Sequence, residues 1–518
     1  MYASAMQIAQ SASPWASPLT LLATLFSACD PANPDPDAAP GPPPTSDTGE
    51  DIDPVPPPDD TGTEPLTIQR WSDGATLPAG FALRGEAVGD YTGYIVALGG
   101  DPTGDGQRDV LVASGARSGG AAVSGTIYVV PGPISSDRSL AADAFGLYGI
   151  EQPGEATPSV AWLGDLDGDG SGDLAVGEPG ETTEGFVHVV RGPVTTSVSL
   201  DAIGETWTGE ASGDGAGVDV ASAGDATGDG RLDLVVGAYR AAGPLPFSAG
   251  AAYVLAGPAT GPGSLGDAAC KLAGDVSDML FGTAVTGGGD LDGDGVSDVL
   301  VGSDTAGGAS FGGVYLFRGP LSGERLTTDA DARLFGHDSW NQPGRFRGTI
   351  AWGDLDGDGR DDVIVGDHRD GEVAGEDRGG VYVVFGPDAS GEVDLDQAPA
   401  ILVGTATDES AGANVGAIGD TDGDGIGEVL VGAPGAQPAG FGSGRISVHY
   451  GPWEGTATIA DSAAAWWDGA GLAWWVGYGL AGGADVTGDA APDLLLGARG
   501  ADGDVSDSGA VFLIPGVP

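Results

Sequence analysis

The chain has 518 residues, 96 of them glycine, and carries a formal charge of −57 from 76 acidic and 19 basic residues, Lys271 being its one lysine. That charge repels a phosphate backbone and excludes nucleic acid as a partner. Two cysteines and four histidines are too few for a disulfide framework or a zinc cluster, and the abundant glycine has no three-residue period, which excludes collagen.

The first element is Leu19 to Ala28, ten mostly apolar residues. It is too short to span a bilayer and has the length of a signal-peptide core. Its end, Leu25-Phe26-Ser27-Ala28-Cys29, resembles the lipobox of bacterial lipoproteins. The resemblance implies lipidation of Cys29, with the membrane reached through the lipid alone. Phe26 stands where that motif usually has Leu, and residues 1 to 18 hold no Lys or Arg. Asp30 to Leu66 follows with twelve prolines and ten acidic residues, too few apolar side chains to fold and the composition of an extended tether. The expected organisation is therefore a signal peptide over 1–29, a tether over 30–66 and one folded domain over 67–518.

Within that domain one motif recurs, clearest in Asp354-Leu-Asp356-Gly-Asp358-Gly-Arg360-Asp-Asp362. Acidic residues at positions one, three, five and nine of a glycine-punctuated loop are the donors a hard cation such as Ca²⁺ takes, and glycine supplies the positive φ that tight wrapping needs. Seven such loops start at Asp101, Asp165, Asp225, Asp290, Asp354, Asp420 and Asp485, spaced by 60 to 66 residues. Three of them have full aspartate sets: Asp165, Asp167, Asp169, Asp173; Asp290, Asp292, Asp294, Asp298; and Asp354 with its partners above. Asp420, Asp422 and Asp424 end instead in Glu428. Three have threonine at position three: Asp101, Thr103, Asp105, Asp109; Asp225, Thr227, Asp229, Asp233; and Asp485, Thr487, Asp489, Asp493. Filling all seven with Ca²⁺ would move the charge from −57 to −43. The Asp485 loop is expected to be weakest, because Ala490 stands where the other loops have glycine and positive φ costs alanine about 1 kcal/mol.

Each repeat divides into four strand candidates. Strand A, of small residues, precedes the loop, and strand B follows it as a continuous apolar run such as Val363 to Val365, which requires cover on both faces. Strand C, as in Gly380 to Phe385, leads into a Gly-Pro turn in most repeats, and strand D is a shorter run such as Arg333 to Gly336. Four short antiparallel strands per repeat, with no helical period, predict an all-β chain folded as a seven-bladed β-propeller, a ring that leaves few exposed edges. The last repeat stops after strand C. Phe81 to Gly85 has the strand D pattern but precedes the first strand A, so it is expected to complete the last blade and close the ring.

The loop motif, the following apolar strand with Gly432-Ala433-Pro434, and Phe281-Gly282 resemble the FG-GAP repeat, the unit of the seven-bladed propeller at the head of integrin α subunits. The resemblance covers Thr67 to Pro518. It implies that the loops join strands A and B on one face and bind Ca²⁺ at up to seven sites, with position seven adding a backbone carbonyl. It also implies that ligands bind the opposite face.

For function, an exported, calcium-stabilised binding or adhesion module recognising a protein or glycan is the expected reading. Trp474, Trp475 and Trp340 are the leading candidates for ligand contact. Tyr239, Phe247, Phe346, Phe441, Trp466, Trp467 and Tyr478 are further ones, since aromatic rings can stack on sugars or grip a peptide. One alternative is an envelope or matrix component that self-associates; another is a propeller hydrolase or lyase. Little supports catalysis: His188 and His449 fall in strand C, and Gly308-Ala-Ser310-Phe-Gly312 matches Gly-x-Ser-x-Gly without the strand-to-helix elbow that pattern needs.

Overall fold

A computed structural model describes residues 67–69, 80–86, 89–115, 125–149, 158–180, 182–242, 248–305, 312–336, 343–345, 347–369, 377–502 and 508–516. Cys29, the tether, Ser310, Trp340, Phe247 and Phe346 lie outside the described residues. The described residues form seven separate sheets, one per repeat, with strands in the order A-B-C-D-E. Each strand A touches the strands A of its two neighbours, so these strands surround the axis of the ring.

Strand B explains why its sequence lacks polar alternation. In all seven blades it is buried along its whole length, from Val110–Ser114 in the first blade to Asp493–Ala498 in the last. Alternate residues feed opposite interfaces. Val110 and Val112 pack against Leu495 and Val511 of the last blade, whereas Leu111 and Ala113 pack against Leu174 and Val176 of the second. Seven apolar clusters result, one at each junction between neighbouring blades. A strand covered on both faces can be apolar throughout.

Closure follows the predicted route. Phe81–Arg84 pairs antiparallel with Ala510–Ile514, placing Phe81 opposite Leu513 and Leu83 opposite Val511. Leu83 is fully buried in the cluster between the last and first blades.

The four antiparallel strands per blade stand as expected, and a fifth lies outside them. In the first five blades strand E is lent by the next repeat and runs parallel to strand D, as Gly391–Asp394 does beside Ala332–Phe335. The last blade takes its strand E, Arg138–Ser139, from the first repeat. The sixth blade differs. Its outer strand is Thr67–Gln69, which pairs antiparallel with Ala463–Asp468 and sets Thr67 opposite Asp468. The N-terminal segment of the ring thus serves two blades. Strands as short as Arg138–Ser139 and Gly263–Ser264 carry no apolar period, so pattern alone does not reveal them.

Candidate functional site

All seven A–B loops fold around their first aspartate in one way. In the fifth blade, Asp354 Oδ1 accepts the Gly357 N–H at 2.7 Å and Oδ2 accepts the Gly359 N–H at 3.0 Å. The position-six N–H donates to the first aspartate in every blade. The fifth-position carboxylate accepts the position-seven N–H in every blade as well, as Asp358 does from Arg360 at 2.9 Å. Each carboxylate oxygen held by an amide in this way keeps lone-pair capacity for a further partner.

The ninth carboxylate has a different position. Asp109, Asp173, Asp233, Asp298, Asp362, Glu428 and Asp493 are buried, although the other acidic loop positions are mostly exposed. Asp362 Oδ2 accepts Leu355 N–H at 2.7 Å inside the loop, and Oδ1 accepts Gly386 N–H at 2.8 Å, after strand C. The bond to the glycine after strand C recurs at Gly132, Gly192, Gly257, Gly319 and Gly516. Where glutamate replaces aspartate, Glu428 holds the Thr421 N–H at 2.8 Å. Burial pushes the carboxyls of Asp109, Asp298 and Asp362 up to about 6 against the pull of their amide donors. Burial also raises those of Asp173, Asp233, Glu428 and Asp493.

The residues present fit a hard cation. Carboxylate oxygens of Asp101, Asp105 and Asp109 lie within 4.8 Å of one another, as do those of Asp165, Asp167 and Asp173, of Asp290, Asp292 and Asp294, of Asp354, Asp356 and Asp362, and of Asp420, Asp422 and Glu428. So many anionic oxygens converging without a cation repel one another. Among the threonine loops, Thr227 Oγ1 is buried with no hydrogen-bond partner among the described residues. Thr103 Oγ1 leans 3.4 Å from Asp101, and Thr487 Oγ1 lies 3.3 Å from Asp493. Ala490 adopts φ +70 where the equivalent glycines lie between +84 and +95, so alanine carries the strain expected of it.

Strands A begin, and strands B end, at the face away from these loops. There Trp475 lies just before the last strand A, Val476–Ala484, and is half-buried with φ +53. Its ring meets Phe441 edge to face, centroids 5.4 Å apart. Trp474 stacks on Phe512 at 5.9 Å and packs against the cluster between the sixth and seventh blades. Trp466 and Trp467 belong to strand D of the sixth blade. Trp467 is fully buried and Arg445 covers Trp466, so neither presents an open ring to a ligand. Tyr478 is on that face, stacked on Tyr94 at 5.6 Å with Arg499 over it at 4.1 Å. Pattern reading overlooked Arg499, which is a single basic residue after a strand and belongs to no motif. Tyr239 lies under Arg240 at 4.8 Å.

The histidines in strand C are tied into blades. His188 bridges Glu178 at 2.9 Å and Thr206 at 3.0 Å, and His449 bridges Ser447 and Ser462. Burial lowers His449 and His368 to about 3, which keeps both neutral at physiological pH.

Comparison with known proteins gives two family matches, an FG-GAP repeat over residues 156–190 and an FG-GAP-like repeat over 290–365. Each includes an A–B loop. Integrin alpha-5 of Xenopus laevis is 30% identical over 176 residues, covering 32% of this chain and 16% of its own length. Integrin alpha pat-2 of Caenorhabditis briggsae is 30% identical over 219 residues, covering 39% of this chain and 17% of its own. The chain thus spans about a sixth of these relatives. The crystal structure of the V. cholerae biofilm matrix protein Bap1 aligns at TM-score 0.35 and 14% identity over 89% of this chain and 92% of that one, too loosely to carry an argument. With seven blades that repeat one loop geometry, the chain is a seven-bladed propeller that carries FG-GAP repeats and is similar over about a third of its length to integrin α chains.

Proposed function

We propose that this propeller is a calcium-stabilised, extracytoplasmic binding or adhesion module, held at the cell envelope by a lipid on Cys29 and recognising its partner with the face opposite the cation loops. The observation that carries the reading is the uniformity of the seven loops: in each, the backbone presets the first and fifth carboxylates and the ninth is buried. Ca²⁺ accepts six to eight oxygens in flexible geometry, whereas Mg²⁺ demands a near-ideal octahedron and keeps its water. In each loop the ion would be held by positions one, three, five and nine, including Asp169, Asp229, Asp424 and Asp489 at position five. It would supply charge neutralisation and a cross-link between strands A and B. Extracellular calcium modules commonly bind at about 10⁻⁴ to 10⁻³ M, which suits an exported protein.

No step of a reaction is assigned to the chain. Its strand C histidines are locked into polar ties, and the five carboxylate clusters named above belong to the loops. The test is a Ca²⁺ titration of the chelator-treated full chain, following thermal unfolding and counting bound ions by calorimetry. A large rise in melting temperature with five to seven sites supports the reading, and no binding with no shift overturns its calcium part. Cells expressing C29A should release the protein from the envelope; retention there would remove the lipid anchor.

A further inference from the structure

Arg499 follows strand B of the last blade, on the face away from the cation loops. Its guanidinium carbon lies 4.1 Å from the ring centre of Tyr478, 5.5 Å from that of Tyr94 and 5.8 Å from that of Trp475. Cation–π contact of this kind fixes the planar group and leaves its N–H fork free to meet an acceptor. Acidic residues outnumber basic ones 76 to 19 in this chain, and arginines elsewhere take carboxylates, as Arg191 does Asp173 and Glu205, Arg345 does Asp304 and Arg445 does Asp468. Arg499 makes no ion pair with any described residue.

Beside it stands an apolar ledge. Phe441 is 63% and Leu472 68% exposed, two of the five large apolar side chains the described surface leaves open. The ledge is held by backbone. Ala473 N–H donates to the Phe441 carbonyl at 2.9 Å, and Trp475 N–H donates to the Gly442 carbonyl at 2.7 Å. A Cβ on Gly442 would fall 2.9 Å from the Trp475 ring, and Gly440 stands at φ +115, so both positions favour glycine. Trp475 itself is in the left-handed region, as are Tyr91, Leu280 and Ser410 at the same place in their repeats, so this backbone turn belongs to the fold and presents the indole at a fixed position.

We infer that Arg499 and this ledge form a docking site for a segment of a partner protein that pairs one carboxylate with a neighbouring large apolar side chain. The inference rests on the proposed binding role of this face. A carboxylate would take the Arg499 fork with two charge-assisted hydrogen bonds, and the apolar side chain would cover Phe441 and Leu472. Sugars suit the site less well. Stacking on a sugar needs open ring faces, and here Tyr94 and Arg499 both engage Tyr478 while Phe441 meets Trp475 edge to face. A polyanion suits it less well again, because each of its further charges would come within about one Debye length of the acidic surface and be repelled, whereas a single carboxylate is repelled little.

The test is selection of a phage-displayed peptide library on the full chain in millimolar Ca²⁺, followed by titration of the selected peptides into wild type, R499Q and F441A. The selected sequences should place Asp or Glu within a few residues of Leu, Phe or Trp. R499Q should weaken them about tenfold with its melting temperature unchanged, and replacing the peptide acid by its amide should cost wild type the same factor but R499Q nothing further. Binders without an acid, or binders that R499Q and F441A leave untouched, overturn the inference and leave the binding role of the protein intact. Binding of uronic-acid oligosaccharides in place of peptides, lost in R499Q, also overturns it. A library that yields no binders counts against both.

Discussion

The backbone carbonyl of Asp354, first residue of the fifth loop, accepts a hydrogen bond of 2.8 Å from the N–H of Gly427, eighth residue of the sixth. The same bond joins Asp225 to Ser297 at 3.1 Å, Asp290 to Asp361 at 3.2 Å, and Asp101 to Gly172 at 2.7 Å. Loops three to six are therefore linked in series, each through a residue next to the buried ninth carboxylate. The eighth residue of the last loop is Pro492, which has no N–H to offer.

Because ordering one loop fixes an acceptor for the next, Ca²⁺ binding to loops three to six should be cooperative. Since the fold already accepts proline at this position in the last loop, S297P should fold, keep its calcium stoichiometry and lose part of the cooperativity, a change of about two- to tenfold in the affinity of the neighbouring loop. Calorimetric titration of both proteins checks this. Identical isotherms would show that the loops fill independently.

The metal-free ring should lose stability as pH rises. Folding raises Asp109, Asp298 and Asp362 from 3.8 to about 6 through burial. A carboxyl with a higher pKa when folded takes up a proton on folding, so its contribution is fully present below about 3.8 and is lost as pH rises through about 6. Ca²⁺ replaces those protons. Melting curves should show a larger calcium-induced rise at about pH 7.5 than at about pH 5; an equal rise would mean the buried carboxylates do not face the ion.

The first and last tiers of a loop should respond differently to substitution. D362A leaves the amides of Leu355 and Gly386 without their acceptor in a buried site and should cost about 3 kcal/mol even in chelator. D356A removes an exposed carboxylate and should change the melting temperature only when Ca²⁺ is present. Denaturant unfolding with and without calcium separates the two.

Removing residues 67–86 strips the last blade of strand D and the sixth of strand E, exposing the apolar partners of Leu83. The melting temperature should fall sharply. L83A alone should cost about 3 kcal/mol, the price of a cavity at a closed interface. An unchanged melting temperature in the deletion would show that the ring holds without its N-terminal strands.

A490G removes a left-handed alanine from the last loop, where Ala490 N–H donates to Asp485 at 2.9 Å. The variant should bind one Ca²⁺ several-fold more tightly, with stability nearly unchanged because glycine also gains freedom in the unfolded chain. Unaltered affinity would place the weakness of this loop in Thr487 instead.

The sequence by itself determined the period of the ring, the seven loops, the apolar strand after each and the strand that closes the last blade. These are local features: four acidic positions within nine residues, or a run such as Val363 to Val365, state their own requirements for oxygen ligands or for cover on both faces. The loaned outer strands were not legible, because Gly263–Ser264 gains its pairing only from an edge that another repeat presents. Nor was the double use of the N-terminal segment, where Thr67–Gln69 runs antiparallel in a slot that the other blades fill with a parallel strand. The tertiary structure also sorted the tryptophans. Trp466, Trp467, Trp474 and Trp475 are chemically alike and nearly adjacent, yet Trp467 is buried, Arg445 covers Trp466, Trp474 stacks inward on Phe512 and Trp475 stands half-open beside Arg499. A side chain's neighbours across blades are set by ring geometry, which brings Tyr94 and Tyr478 together from opposite ends of the chain.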